Sequence, residues 1–109
     1  MSCALVMLEI FVPVTHAQRV RVAMGEAGAG KVGNYSHCSF SLKGIGRYLP
    51  EQGAKPVIGS VGKMQQVAEE RITMVCEKRL LKRVVTAIKN AHPYEEVPIY
   101  AYPLSELPK

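Results

Sequence analysis

Residues 90–104 read N-A-H-P-Y-E-E-V-P-I-Y-A-Y-P-L, and the fold turns on the change of periodicity inside this stretch. Just upstream, Leu80, Leu81, Val84, Val85, Ile88 and Ala91 recur at helical spacing with Lys and Arg on the remaining positions, so one apolar stripe faces a core. Pro93 ends that helix, because the residue before a proline is pushed out of the helical region. Residues 97–102 resume an extended pattern, so the stretch is a helix-to-strand corner. A strand over about residues 69–76, with Ile72, Met74 and Cys76 on one face, precedes the helix and completes a strand, helix, strand unit.

The first half of the chain carries the same order. Residues 5–12 are apolar and β-prone, and Pro13, which cannot donate to a ladder, ends that strand. Thr15 is the expected N-cap of a helix bearing Val20, Ala23, Met24 and Ala27, and Gly28 and Gly30 are its expected stop. Residues 35–42, Y-S-H-C-S-F-S-L, alternate as a strand with Cys38, Phe40 and Leu42 as the core face. Residues 43–63 are dense in glycine and proline and read as an ordered loop, with a short strand at 57–61 and packing by Ile45, Tyr48, Leu49, Val57 and Ile58.

Two strand, helix, strand units joined by a long ordered Gly/Pro loop predict an α+β fold, a ferredoxin-like sandwich of one four-stranded antiparallel sheet with both helices on one face. The opposite face of such a sheet needs cover, and a second copy of the chain is the expected source, giving a homo-oligomer, dimer or trimer.

Composition narrows the class. At 109 residues and 48% hydrophobic, the chain suits a single domain, 1–109, with one core. No apolar run approaches the roughly 20 residues of a membrane span, and residues 4–12, interrupted by Glu9 and lacking a basic flank, read as a strand and not a signal peptide. Cys3, Cys38 and Cys76 are odd in number and lack C-x-x-C spacing, which argues against a disulfide framework or zinc knuckle and for a cytoplasmic location. The formal charge of +5 comes from scattered basic residues, among them Arg19 and Arg21, then Lys78, Arg79, Lys82, Arg83 and Lys89. The second group reads as a solvated helix face; a weak anion or nucleic-acid surface is the alternative.

Three segments, G-A-G-K-V-G-N-Y-S-H-C-S-F (residues 28–40), P-V-I-G-S-V-G-K (56–63) and A-H-P-Y-E-E (91–96), occur in an order that resembles a known family. It is the domain inserted in bacterial YqfO-type members of the Nif-three-like family, together with short stand-alone proteins made of that domain. The H-P-Y-E segment is also similar to one in the CutA trimers, so the resemblance implies a CutA-like or PII-like fold. Full-length family members hold a two-metal site in the halves that flank the insert and are often described as cyclohydrolase-like. Those flanking histidine and carboxylate segments are absent from these 109 residues, so the resemblance implies a regulatory or lid-like module and transfers no catalytic residue.

Candidate site residues fall into two groups. Gly30, Gly33, Asn34, Tyr35 and His37 form one; His92, Tyr94, Glu95 and Glu96 form the other. Gly28, Gly30 and Gly33 could turn backbone N–H groups toward an anion, but they follow a helix, whereas phosphate-cradling glycines precede one, so a helix C-cap and turn is the simpler reading. His37 together with His92, Glu95 and Glu96 has the chemistry to hold a divalent metal, which is the alternative reading as a metal-dependent hydrolase. Cys38, placed on a core face, reads as a small hydrophobe and not as a nucleophile. No cofactor and no catalytic residue is expected; the leading expectation is a non-enzymatic oligomeric module that binds a small ligand, a metal ion or a protein partner.

Overall fold

The computed structural model describes residues 4–108. In chain order its elements are β1 (Leu5–Pro13), α1 (Ala17–Glu26), β2 (Phe40–Tyr48), β3 (Gln65–Glu77), α2 (Leu81–Ala91) and β4 (Ile99–Pro103), and each helix is entered through a short 3-10 turn, Val14–His16 or Lys78–Leu80. The four strands form one antiparallel sheet in the order β2-β3-β1-β4, the ferredoxin-like arrangement in which the first and third strands are central.

Alternation along the two central strands builds the core. Val6, Leu8, Ile10 and Val12 of β1 are buried on one face, and the antiparallel register sets Leu8 against Met74, Ile10 against Ile72 and Val6 against Cys76. The helices close over that face with Ala17, Val20 and Met24 from α1 and Val84, Ile88 and Ala91 from α2. Each fully buried Leu, Ile, Val or Met side chain contributes about 1.5–3 kcal/mol relative to exposure. Arg21 of α1 reaches the same side of the sheet, where it hydrogen-bonds Ser41 Oγ and forms an ion pair with Glu70.

The end of α1 follows the glycine signal. Gly28 has φ +111°, its N–H bonds the Gly25 carbonyl, and the Ala29 N–H bonds the Met24 carbonyl, the paired bonds of a Schellman motif. Its start does not follow the sequence: His16 holds the cap position, no side chain caps the helix, and Thr15 Oγ1 bonds the His16 ring instead. The intervening 3-10 turn takes up the residues that Thr15 would have capped.

Four further expectations are corrected. Residues 35–39 are not strand: Val32 and Tyr35 exchange two backbone hydrogen bonds across Gly33 and Asn34, and His37 stands at φ +60°. The strand starts at Phe40 and pairs it with Thr73, one step out of phase with Ile72, so Phe40 and Leu42 lie on the face away from the helices, 63% and 45% exposed, instead of in the core. Residues 43–48 belong to β2, paired as far as Tyr48 with Gln65, because β3 begins before the apolar run that marks it in the sequence. The strand expected at 57–61 is absent; Gly59 and Gly62 have φ of +93° and +86° and bend the chain there.

The loop that remains, residues 49–64, is tied by hydrogen bonds more than by burial. Tyr48 donates its hydroxyl to the Ile58 carbonyl at 2.7 Å and the Gly62 N–H bonds the Pro50 carbonyl at 2.8 Å, while Ile45, Leu49 and Val57 stay exposed. Among the described residues, no helix is long and apolar enough to cross a membrane. Cys3 lies outside them; Cys38 is half-buried, and Cys76 is buried, with its thiol pushed above the ordinary range by burial and then by the neighbouring Glu77 charge.

Candidate functional site

The corner after α2 is built around His92. Its Nε2 lies 2.7 Å from the Phe11 carbonyl oxygen, which can only accept, so Nε2 carries the proton and donates. Its Nδ1 therefore accepts, and the Tyr94 N–H donates to it at 3.1 Å. Both ring nitrogens are spent on backbone, leaving no lone pair for a metal. Burial holds the ring's pKa below its ordinary 6.5, against the opposing pull of the Phe11 carbonyl and the Glu69 charge, which agrees with a neutral imidazole.

Tyr94 carries the corner outward onto the sheet. Its ring packs edge-on against Tyr48, centroids 5.8 Å apart, and its hydroxyl donates to Glu69 Oε2 at 2.6 Å. Burial, followed by the Glu69 hydrogen bond and charge, raises the phenol's pKa well above its ordinary 10. Glu69 is 7% exposed on the face of β3 away from the helices, and the sequence makes room for it: a Cβ at Gly46 of the neighbouring strand would stand 2.0 Å from Glu69 Oε1. Glycine at 46 leaves free the space across β2 that this carboxylate occupies.

A cleft of ≈ 590 Å³ opens between this corner, the uncovered sheet face and the 49–64 loop. Phe11, Tyr48, Tyr94 and Tyr100 supply aromatic walls, and Glu51, Glu69, Glu95 and Glu96 bring carboxylates to its surface, with Arg47 also at the lining. Glu95 Oε1 accepts from the Lys55 N–H at 2.9 Å, which pins the loop to the corner. Tyr94, Glu95 and Glu96 thus share one cavity, while His92 stands behind it as a brace.

The other candidates lie elsewhere. Gly30 hydrogen-bonds the Val75 carbonyl, six residues along β3 from Glu69, about 20 Å of extended chain. Its N–H and those of Gly28, Ala29 and Val32 are all bonded within the chain, so these four donors are not turned toward an anion. Gly33 and Asn34 form the tip of the tight turn beside Tyr35, and His37 lies on Gly25 of α1, where a Cβ would meet its ring at 2.0 Å. The structure does not bring together the His37, His92, Glu95 and Glu96 of the alternative metal reading: α1 holds the first, the far corner the others. Among the described residues, no group of three or more His, Cys, Asp or Glu could hold a metal ion.

Sequence reasoning missed Glu69, Gly46, Tyr48, Phe11 and Tyr100. One signal was available: Gly44 and Gly46 recur with period two, which marks a strand face stripped of side chains, and such a face needs a large group from the neighbouring strand to cover it.

No family model matches the chain. A GTP cyclohydrolase 1 type 2 homolog from Bacillus subtilis (strain 168) is 46% identical over 101 residues, which are 93% of this chain and 27% of that protein. The crystal structure of a Bacillus cereus protein related to NIF3 superposes with a TM-score of 0.85 at 42% identity, over 97% of this chain and 27% of that one. In sequence and in fold, the chain matches one domain of the NIF3-related proteins. It spans about a quarter of the length of these relatives. The periplasmic divalent cation tolerance protein CutA from Archaeoglobus fulgidus, at 18% identity and a TM-score of 0.71 over 96% of this chain and 88% of its own, shares the CutA-like fold.

Proposed function

We propose that this NIF3-related domain is a non-catalytic, homo-oligomeric binding module: its uncovered sheet face closes on further copies as a dimer or trimer, and the cleft under the 49–64 loop seats a ligand. The observation that carries the reading is that Phe40 and Leu42 on β2 and Tyr100 and Tyr102 on β4, each 45–63% exposed, all stand on the one sheet face that no helix covers, at its two edges with the Glu9–Arg71 ion pair between them. Apolar surface gathered on one side of a sheet, and not scattered singly, is the mark of an interaction face. The binding part rests on the cleft, whose volume falls within the roughly 300–1,000 Å³ of small-molecule sites. Its reactive-looking groups are occupied structurally: both His92 nitrogens by backbone, and the Tyr94 hydroxyl by Glu69.

Sedimentation velocity at micromolar concentration tests the assembly. The expected result is a species heavier than the 12.0 kDa chain, reduced to one chain by Phe40→Glu with far-ultraviolet circular dichroism unchanged. A wild-type protein that sediments as one chain at every soluble concentration contradicts it.

A further inference from the structure

The reading of the cleft as a ligand seat leads to a narrower statement about what enters it. We propose that the ligand is an organic cation, an ammonium or amidinium group carried on a flat apolar body, bound with its charge toward Glu69 and its body among Phe11, Tyr48 and Tyr100.

Charge distribution argues for the sign. The chain as a whole is basic, +5, yet the cleft brings four carboxylates to its surface against one guanidinium. The two signs are also unequal in depth. Glu69 is 93% buried and lines the cleft, and its carboxylate accepts one hydrogen bond among the described residues, from the Tyr94 hydroxyl to Oε2. Arg47 is exposed and water-screened. A charge held in low dielectric acts more strongly at a few ångströms than one in water, so Glu69 sets the potential felt by a bound group.

The walls argue for the kind of cation. A small hard metal ion takes six or more oxygens, and no group of metal-binding side chains converges here among the described residues. Aromatic faces instead attract a weakly hydrated organic cation, worth about 0.5–2 kcal/mol per ring according to its desolvation. Tyr100 is already held edge-on to Phe11, with centroids 6.2 Å apart, so part of that wall stands without the ligand. Gly46 completes the seat by letting the Glu69 carboxylate lie in the sheet face instead of rising into the cavity.

Three probes of one skeleton separate the possibilities: phenylethylammonium, neutral 2-phenylethanol and phenylacetate, titrated into the ¹⁵N-labelled full chain and followed at the amides of Lys55, Tyr94 and Glu95. Phenylethylammonium is expected to bind about tenfold more tightly than the alcohol, with phenylacetate weakest. Glu69→Gln and, should that variant lose its fold, the exposed Glu96→Gln are each expected to reduce the preference for the cation; Glu26→Gln on α1 is expected to leave it intact. Equal or tighter binding of the alcohol or the anion at these amides overturns the cation assignment and leaves the cleft a ligand seat. Absence of shifts with all three probes overturns both.

Discussion

The two faces of the sheet are made by the same strands and differ in almost everything else. On the helix side, Leu8, Ile10 and Ile72 are 0% exposed; on the other, Tyr100 and Phe40, paired with Glu9 between the first two and with Thr73 beside the third, are 57% and 63% exposed. The adjacent glutamates on β3 condense the contrast. Glu70 turns toward the helices and pairs with Arg21, whereas Glu69 turns the opposite way and is covered by Tyr94 and Gly46. A face finished with aliphatic packing and a salt bridge supports the fold of one chain. A face that mixes large exposed apolar groups, the Glu9–Arg71 ion pair and one deeply placed carboxylate is the face that the proposed assembly and ligand would cover.

The largest expected effect separates the faces by truncation. Leu8→Ala should cost about 3 kcal/mol in urea unfolding at any protein concentration, since it opens a cavity in the core. Leu42→Ala should cost under about 1 kcal/mol when dilute and more when concentrated, because its burial depends on assembly. Equal, concentration-independent losses at the two positions would break the comparison.

A smaller effect, about 1–2 kcal/mol, is expected for Tyr94→Phe, which removes the donor from a buried carboxylate while keeping the ring. The Tyr94 phenol is held protonated above its ordinary pKa, so its contribution is fully present below pH 10 and is lost as pH rises beyond it. The variant's unfolding free energy should therefore fall less between pH 9 and 11 than that of the wild type.

The smallest is at His92. Its folded-state pKa lies below 6.5, so the unfolded chain binds the extra proton first and stability declines as pH falls below about 6.5. His92→Gln, measured by urea unfolding between pH 5 and 7, should flatten that slope, and an unchanged slope would assign it to other groups.

Much of the fold was legible because two signals were strong: the stripe on α2, with Pro93 just after its end, and the alternation of β1 against β3. The misreadings cluster where the signal was weak for a physical reason. β2 carries glycine at 44 and 46 and polar residues between, so its strand character comes from pairing with β3 and not from local preference. His37, at positive φ, breaks the alternation that linked Cys38 to Phe40, and one step of phase exchanges the inner and outer faces. The site was half legible. Tyr94, Glu95 and Glu96 stood together in one segment, but Glu69, Phe11 and Tyr100 reach them through strand pairing, which local periodicity does not encode.

Hydroxyl-radical footprinting, read by mass spectrometry at Phe40, Tyr100 and Tyr102 over a range of protein concentration, tests most directly whether the open face is an assembly face. The account predicts that these residues lose reactivity as concentration rises, while Tyr35, 74% exposed on the turn after α1, stays reactive throughout. Equal reactivity of all four at every concentration would contradict it.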